Sequence, residues 1–280
     1  MPIRIFEAAC VVIVIATLVA MARRAPWRTL LADYALLASA GWLGEQACIS
    51  LYRHYTYDLA WDARLVDVPI LVPLIWPLVI LSARDVAGGL FPRASGLGRA
   101  AIVGAIVVFD ASLVEVVAVR AGLWSWAEGG HLGVPVIGIL GWGYFAFGAD
   151  LVLTRAKTAS QRALVVPLAP AIGHALIVAS WWLGLKWLAR GDQGAASLVA
   201  LVAASLAITF AVVRARARGH AIPFEVAWPR VFAAGLFFVL LLSVAPTDLP
   251  LWLHVACVAI PYVTATRWPA GMARVAHSTR

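Results

Sequence analysis

Charge is scarce in this sequence: Asp, Glu, Lys and Arg make up 13% of its 280 residues, about half the roughly 25% share of a soluble globular domain. With 63% hydrophobic residues and a mean hydropathy of +0.90, such a chain cannot clothe itself in an ordinary soluble surface and reads as an integral membrane protein. Cysteine is also rare. Cys10, Cys48 and Cys257 all fall in apolar stretches with no pairing pattern, so they read as small buried hydrophobes rather than a disulfide framework. The chain also lacks a phosphate-cradling glycine loop, a nucleophile elbow and a Ser/His/Asp set. Its histidines show no ligand spacing: His54 and His131 sit in loops, while His174 and His254 stand singly in apolar stretches. No zinc or di-iron centre is therefore expected, and no cofactor.

What the chain has in abundance is apolar length. Stretches at about 5–22, 30–51, 67–83, 100–120, 132–154, 164–188, 195–213, 230–246 and 249–266 are each long enough to cross hydrocarbon as a helix. The expected fold is all-α, a single transmembrane domain over 1–280 made of about nine helices. Eight are possible if the last two, separated only by Pro246-Thr247-Asp248, form one hairpin that stops short of the far surface. A net charge of +8 raises the question of nucleic acid, but the basic residues form no patch and no recognition module accompanies them. They sort by loop instead. Sixteen of the 22 Lys and Arg follow the odd-numbered stretches and six lie on the opposite side, which places the N-terminus outside and the C-terminus in the cytoplasm. Met1 to Ala22 could pass for a signal peptide, yet Arg23 and Arg24 directly after it favour an uncleaved first helix.

One pattern occurs twice. Glu45, Tyr55-Thr56-Tyr57, Val68-Pro69 and Trp76 are echoed by Glu115, Trp124-Ser125-Trp126, Val134-Pro135 and Trp142, with equal Pro69–Trp76 and Pro135–Trp142 spacing. The two units, about 30–83 and 100–154, enter from the same side and form a parallel repeat of helical hairpins. A carboxylate inside hydrocarbon costs about 2.5 to 3.5 kcal/mol on insertion, so repeated acids point to a shared polar chamber. As structural glue, each Glu would simply hydrogen-bond a neighbouring helix. For position alone, an interfacial aromatic belt is the better explanation of Trp124 and Trp126.

Three acids are the candidate catalysts: Glu45, Asp110 and Glu115. Asp110 and Glu115 are five residues apart, roughly 140 degrees and 7.5 Å along a helix, so they cannot form one tight pair. Glu45 and Glu115 are the better match, with Asp110 deeper in the same region. A carboxyl kept neutral in a dry cavity is a proton donor. Around it Trp42, Tyr52, Tyr55, Tyr57, Trp76, Trp124, Trp126, Trp142 and Tyr144 would line the chamber, their faces stabilising a cation by about 0.5 to 2 kcal/mol each. His174, more often a satisfied core group at such a place, could position water. Acid plus aromatic cage suits protonation of an alkene. A further cluster, Asp58, Asp62 and Asp67, could suggest magnesium and diphosphate, but its spacing is not the one that prenyl transferases use.

The stretch Phe109-Asp110 through Glu115, Gly122-Leu123-Trp124-Ser125-Trp126, Gly133-Val134-Pro135 and Gly141-Trp142 resembles the carotenoid biosynthesis membrane proteins that include hydratases of acyclic carotenoid ends. The first unit, from Gly44-Glu45 to Trp76, is similar to the same family, and the likeness spans about 41–150. Val116 stands where that pattern has Pro, and Ile137 or Gly138 where it has Asn. The resemblance extends to the wider lycopene cyclase-like superfamily, and it implies protonation of an isoprenoid double bond by intramembrane carboxylates in a bacterial inner membrane. The expected activity is a hydratase that adds water to a long hydrophobic isoprenoid, without cofactor or metal. Capture of the cation by an internal double bond would make the same site a cyclase. A transporter of a hydrophobic or lipid substrate is the reading from another class, and a non-enzymatic assembly partner a third.

Overall fold

The computed structural model of the protein describes residues 3–186 and 194–267. Arg274, His277 and Arg280 of the basic tail lie outside the described residues. The chain is an all-α membrane bundle. Helices α1 (Ile3–Ala22), α2 (Trp27–Tyr52), α3 (Leu71–Leu90), α4 (Gly96–Arg120) and α5 (Val136–Arg155) are followed by a short α6 (Ala159–Ala163), then α7 (Val165–Ser180), α8 (Gly194–Ala217), α9 (Phe224–Val244) and α10 (Leu249–Ala265). Each expected span is met by a helix. Among the described residues, seven helical stretches are long and apolar enough to cross a membrane. α2 has 26 residues and falls outside that set; it carries Glu45 and Asp33 among its polar side chains. α10, at 17 residues, is too short to be counted.

Proline and capping chemistry set the boundaries. Pro26, Pro135 and Pro223 stand immediately before α2, α5 and α9, where a missing N–H loses nothing. α6 opens on a capping box in which Thr158 and Gln161 satisfy each other's backbone N–H groups. Asp248 caps α10 by accepting from the Leu251 N–H at 3.2 Å.

Several boundaries differ from the sequence expectation. α3 starts later than residue 67, because Val68–Pro69 (β3) pairs with Arg64–Leu65 (β2) in a miniature antiparallel ladder. It also runs on past Ala83, because the charges there are matched: Arg84 Nε lies 2.7 Å from Asp150 Oδ1 and Asp85 lies 2.9 Å from Arg24. α9 likewise starts at Phe224 rather than 230, since Arg230 is answered inside the bundle and need not mark its edge.

Buried ion pairs lock the helices together. Asp33 of α2 takes the Arg162 guanidinium on both carboxylate oxygens, at 2.5 and 2.7 Å. Asp150 of α5 is fully buried between Arg84 and Arg99. Asp110 of α4 pairs with Arg230 of α9 and accepts from Tyr262 of α10, while Arg230 also donates to Ser82 of α3 at 2.7 Å. Four helices thus meet at one guanidinium. Removing one partner strands the other charge in an apolar medium, which costs on the order of 3 to 5 kcal/mol. Arg230→Leu is therefore expected to lower stability by about that amount, and Asp110→Leu with Arg230→Leu to recover most of it. Denaturation of the purified protein in detergent checks both.

Candidate active site

The sheet that closes one end of the bundle is built from the two aromatic motifs. Tyr55–Tyr57 (β1) pairs antiparallel with Trp124–Trp126 (β4), Tyr55 opposite Trp126 and Tyr57 opposite Trp124. Alternation along a strand sends successive side chains to opposite faces. The four rings therefore turn inward, while the Thr56 and Ser125 hydroxyls meet outside at 3.3 Å. Inward, the rings interleave: Tyr55 and Trp126 have centroids 4.9 Å apart, Tyr57 and Trp124 5.8 Å. Sequence reading placed both motifs in separate interfacial loops; their pairing makes them a lid.

Beneath the lid lie the two glutamates. Glu45 of α2 is 8% exposed and Glu115 of α4 is 2% exposed. Glu45 Oε2 accepts from the Tyr55 and Tyr57 hydroxyls, the latter at 2.9 Å, and Oε1 accepts from Trp76 Nε1 at 2.9 Å. Glu115 Oε2 accepts from Trp124 Nε1 at 2.9 Å and Trp126 Nε1 at 3.1 Å. Burial, and after it the Glu45 carboxylate, pushes both Tyr55 and Tyr57 well above the ordinary tyrosine value, and Glu115 adds to the effect at Tyr57. Both phenols stay protonated and serve as donors. No guanidinium or ammonium is bonded to either glutamate among the described residues.

The two acids share a cavity of about 90 Å³. Tyr52, Tyr55, Tyr57, Trp76, Trp124, Trp126, Trp142 and His174 line it together with Glu45 and Glu115, and sequence reading missed Cys48, His54 and Phe145. Trp76 and Trp142 lie face to tilted face at 4.4 Å, with Phe145 edge-on to Trp76 at 4.7 Å. Also in the lining, His54 stacks on Tyr52 at 5.3 Å and Tyr52 leans on His174 at 5.5 Å.

Three expected members are elsewhere. Asp110 does not reach the cavity: its helical offset from Glu115 turns it toward α9 and α10, where Arg230 and Tyr262 hold it. Trp42 points its indole N–H at the Leu65 carbonyl, 3.1 Å away, on the outer side of α2. Tyr144 is not part of the lining either, the α5 face toward the cavity being Gly138, Gly141, Trp142 and Phe145. The acidic trio does not gather, for Asp58 accepts from the Ala60 N–H, Asp62 pairs with Arg4 and Asp67 accepts from Gln46.

A protein-family model described as carotenoid biosynthesis protein matches residues 5–208. The chain belongs to the carotenoid biosynthesis protein family. No curated protein and no solved structure matches it. The family match runs from α1 into α8 and so covers every helix that lines the cavity.

Two further buried polar groups escaped sequence reading. His254 of α10 is not alone: it bonds His131 at 3.1 Å and the Ser112 carbonyl at 2.7 Å. Glu7 of α1 is buried and accepts from the Asp62 N–H at 3.0 Å. Neither could be found from local spacing, since His131 and His254 come from remote parts of the chain.

Glycine makes room for the indoles that hold the acids. A Cβ added at Gly41 would lie 2.9 Å from Trp76 Cδ1, and one at Gly138 would lie 2.5 Å from Trp126 Cζ2 and Cη2. At Gly44 the nearest atoms, on Phe145 and Pro170, would be 3.8 Å away. Gly41→Ala and Gly138→Ala are therefore expected to destabilise by about 1 to 3 kcal/mol each through overpacking, with altered tryptophan emission. Gly44→Ala should be neutral or stabilising by about 0.5 to 1 kcal/mol. Melting midpoints followed by intrinsic fluorescence in detergent check the contrast.

Proposed function

We propose that the protein is an intramembrane enzyme that protonates the terminal double bond of an acyclic carotenoid-like isoprenoid and adds water to it, without a cofactor. The observation that carries this reading is the convergence of two buried carboxyl groups, held only by neutral donors, on one aromatic cavity. Membership of a carotenoid biosynthesis family supports the substrate class. The two hairpin units, about 30–83 and 100–154, build the chamber jointly, and the basic-residue distribution supports placing its lid on the outer face of a bacterial inner membrane.

Geometry divides the labour between the acids. Both oxygens of Glu45 are occupied by donors, which suits it to remain charged and to offset a cation nearby. Glu115 takes the Trp124 and Trp126 indoles on Oε2, with the Trp142 indole also at the carboxyl, and is the acid assigned the proton. Proton transfer from Glu115 to the less substituted alkene carbon leaves a tertiary cation under Trp76 and Trp142, whose faces contribute about 0.5 to 2 kcal/mol each. Water then attacks and yields a tertiary alcohol. Hydration is favoured over cyclisation because Tyr52, His54 and His174, half-buried and in ring contact, give the lining polar groups that can hold water.

Expression in a lycopene-producing bacterium tests the reading directly. The expected pigment has gained the mass of one water; an isomer of unchanged mass would make the protein a cyclase, and unaltered pigment would overturn both for that substrate. Glu115→Gln keeps the shape and acceptor of the side chain but has no acidic proton. It is expected to lower conversion by about 100-fold or more with the melting midpoint little changed.

A further inference from the structure

Resting on the hydratase reading, we propose that His174 is the base that takes the proton of the attacking water, and that Tyr52 and His54 form the polar arm through which water reaches it. His174 projects from α7 into the cavity wall, with Gly173 beside it and α2 facing it at Gly44 and Cys48. Its Nδ1 is buried and has no hydrogen-bond partner among the described residues, while the Gly44 backbone of α2 lies against the ring. A buried acceptor left empty is costly unless something fills it, and a water molecule does so at no expense to the surrounding packing. Tyr52 leans on the imidazole at 5.5 Å and His54 stacks on Tyr52 at 5.3 Å, so the three rings run in sequence from the cavity to the start of the lid, just before β1. The acids line the same cavity, held by the Tyr55, Tyr57, Trp124 and Trp126 donors. Acid and base thus line a single chamber and can act on one reacting carbon skeleton.

The steps balance without an oxidant or reductant. The Glu115 O–H bond breaks and its proton forms a C–H bond with the alkene pair, leaving a tertiary cation. A water lone pair forms the C–O bond, the water O–H bond breaks, and that proton goes to His174. Transfer of this proton through solvent to the Glu115 carboxylate resets the site, and the net change is alkene plus water to alcohol. Without the base, the cation has another exit: it returns a proton to Glu115 and reverts to alkene.

That branch supplies the test. The full-length protein, purified in detergent, is incubated with lycopene in D2O, and alcohol and recovered lycopene are analysed by mass spectrometry. Wild type is expected to give alcohol carrying carbon-bound deuterium. His174→Phe should form alcohol about 100-fold more slowly while deuterium exchange into recovered lycopene persists or rises. His174→Asn, which keeps a side-chain acceptor, should restore part of the alcohol and also serves if the Phe variant fails to fold. A merely structural role would lower both products together and leave their ratio unchanged. Alcohol formation by His174→Phe at the wild-type rate, or parallel loss of alcohol and exchange in both variants, overturns the proposal. If wild type itself forms no alcohol, the hydratase reading falls and takes this inference with it, whereas an active wild type with a dead Glu115→Gln variant isolates the fate of His174.

Discussion

A carboxyl group inside an apolar bundle must be answered by something, and five of this protein's acids are answered in two ways. Asp33, Asp110 and Asp150 each face a guanidinium, from Arg162, Arg230 and Arg84. Glu45 and Glu115 face phenols and indoles instead. The difference decides what each acid can do. A carboxylate matched by an arginine forms a neutral pair only while both stay charged, so it is fixed in one state and acts as a rivet between helices. A carboxyl held by neutral donors is not tied to one charge state, because its partners bond an oxygen whether or not the group carries a proton. The rivets lie where helices must be joined and the exchangeable acids where the cavity is.

The lid follows from that need for donors. A helix offers its own side chains at intervals of three or four residues, and a glutamate in mid-helix finds few donors on the same face. Two extended tripeptides bring four rings to one side at successive alternate positions, with backbone groups paired across the strands. Trp61 extends the same surface, its indole donating to the Leu123 carbonyl at 2.9 Å and its edge meeting Tyr57 at 6.4 Å. The lid is therefore a device for delivering hydrogen-bond donors downward, and its outward Thr56 and Ser125 are the residues left free to meet water.

Most of the helices were legible because hydrocarbon crossing demands long apolar runs, and nothing else in the chain imitates them. Glu45 and Glu115 stood out for the same reason, as costly residues in the wrong medium. Other features are non-local and left no local trace. The pairing of Tyr55–Tyr57 with Trp124–Trp126 looks in sequence like two ordinary interfacial belts, because aromatic residues are favoured at an interface whether or not they pair. Asp110 looked like a third active acid because its partner, Arg230, read as the flank of the next helix rather than as part of its interior. His131 and His254 each looked solitary for want of any periodic relation between them. In each case the missing information is a tertiary partner, and the error runs in one direction: polar groups were assigned to solvent or to chemistry when another side chain already held them.

α4 is where the two kinds of acid meet. Asp110 is clamped to α9 and α10 through Arg230 and Tyr262, and two residues on the Ser112 carbonyl accepts from His254 of α10 at 2.7 Å. Glu115, one turn further, faces the opposite way into the cavity. Five residues of helix give roughly 140 degrees of rotation, so the same segment can be gripped on one side and face the cavity on the other. A helix held only by apolar packing can slide or rotate slightly at little cost, and a proton donor displaced by about 1 Å loses much of its effect. The grip on Asp110 and Ser112 removes that freedom at the point where Glu115 needs it least. This gives the late helices a task even though they line none of the cavity: they set the rotation of α4, and through it the direction in which the buried acid points.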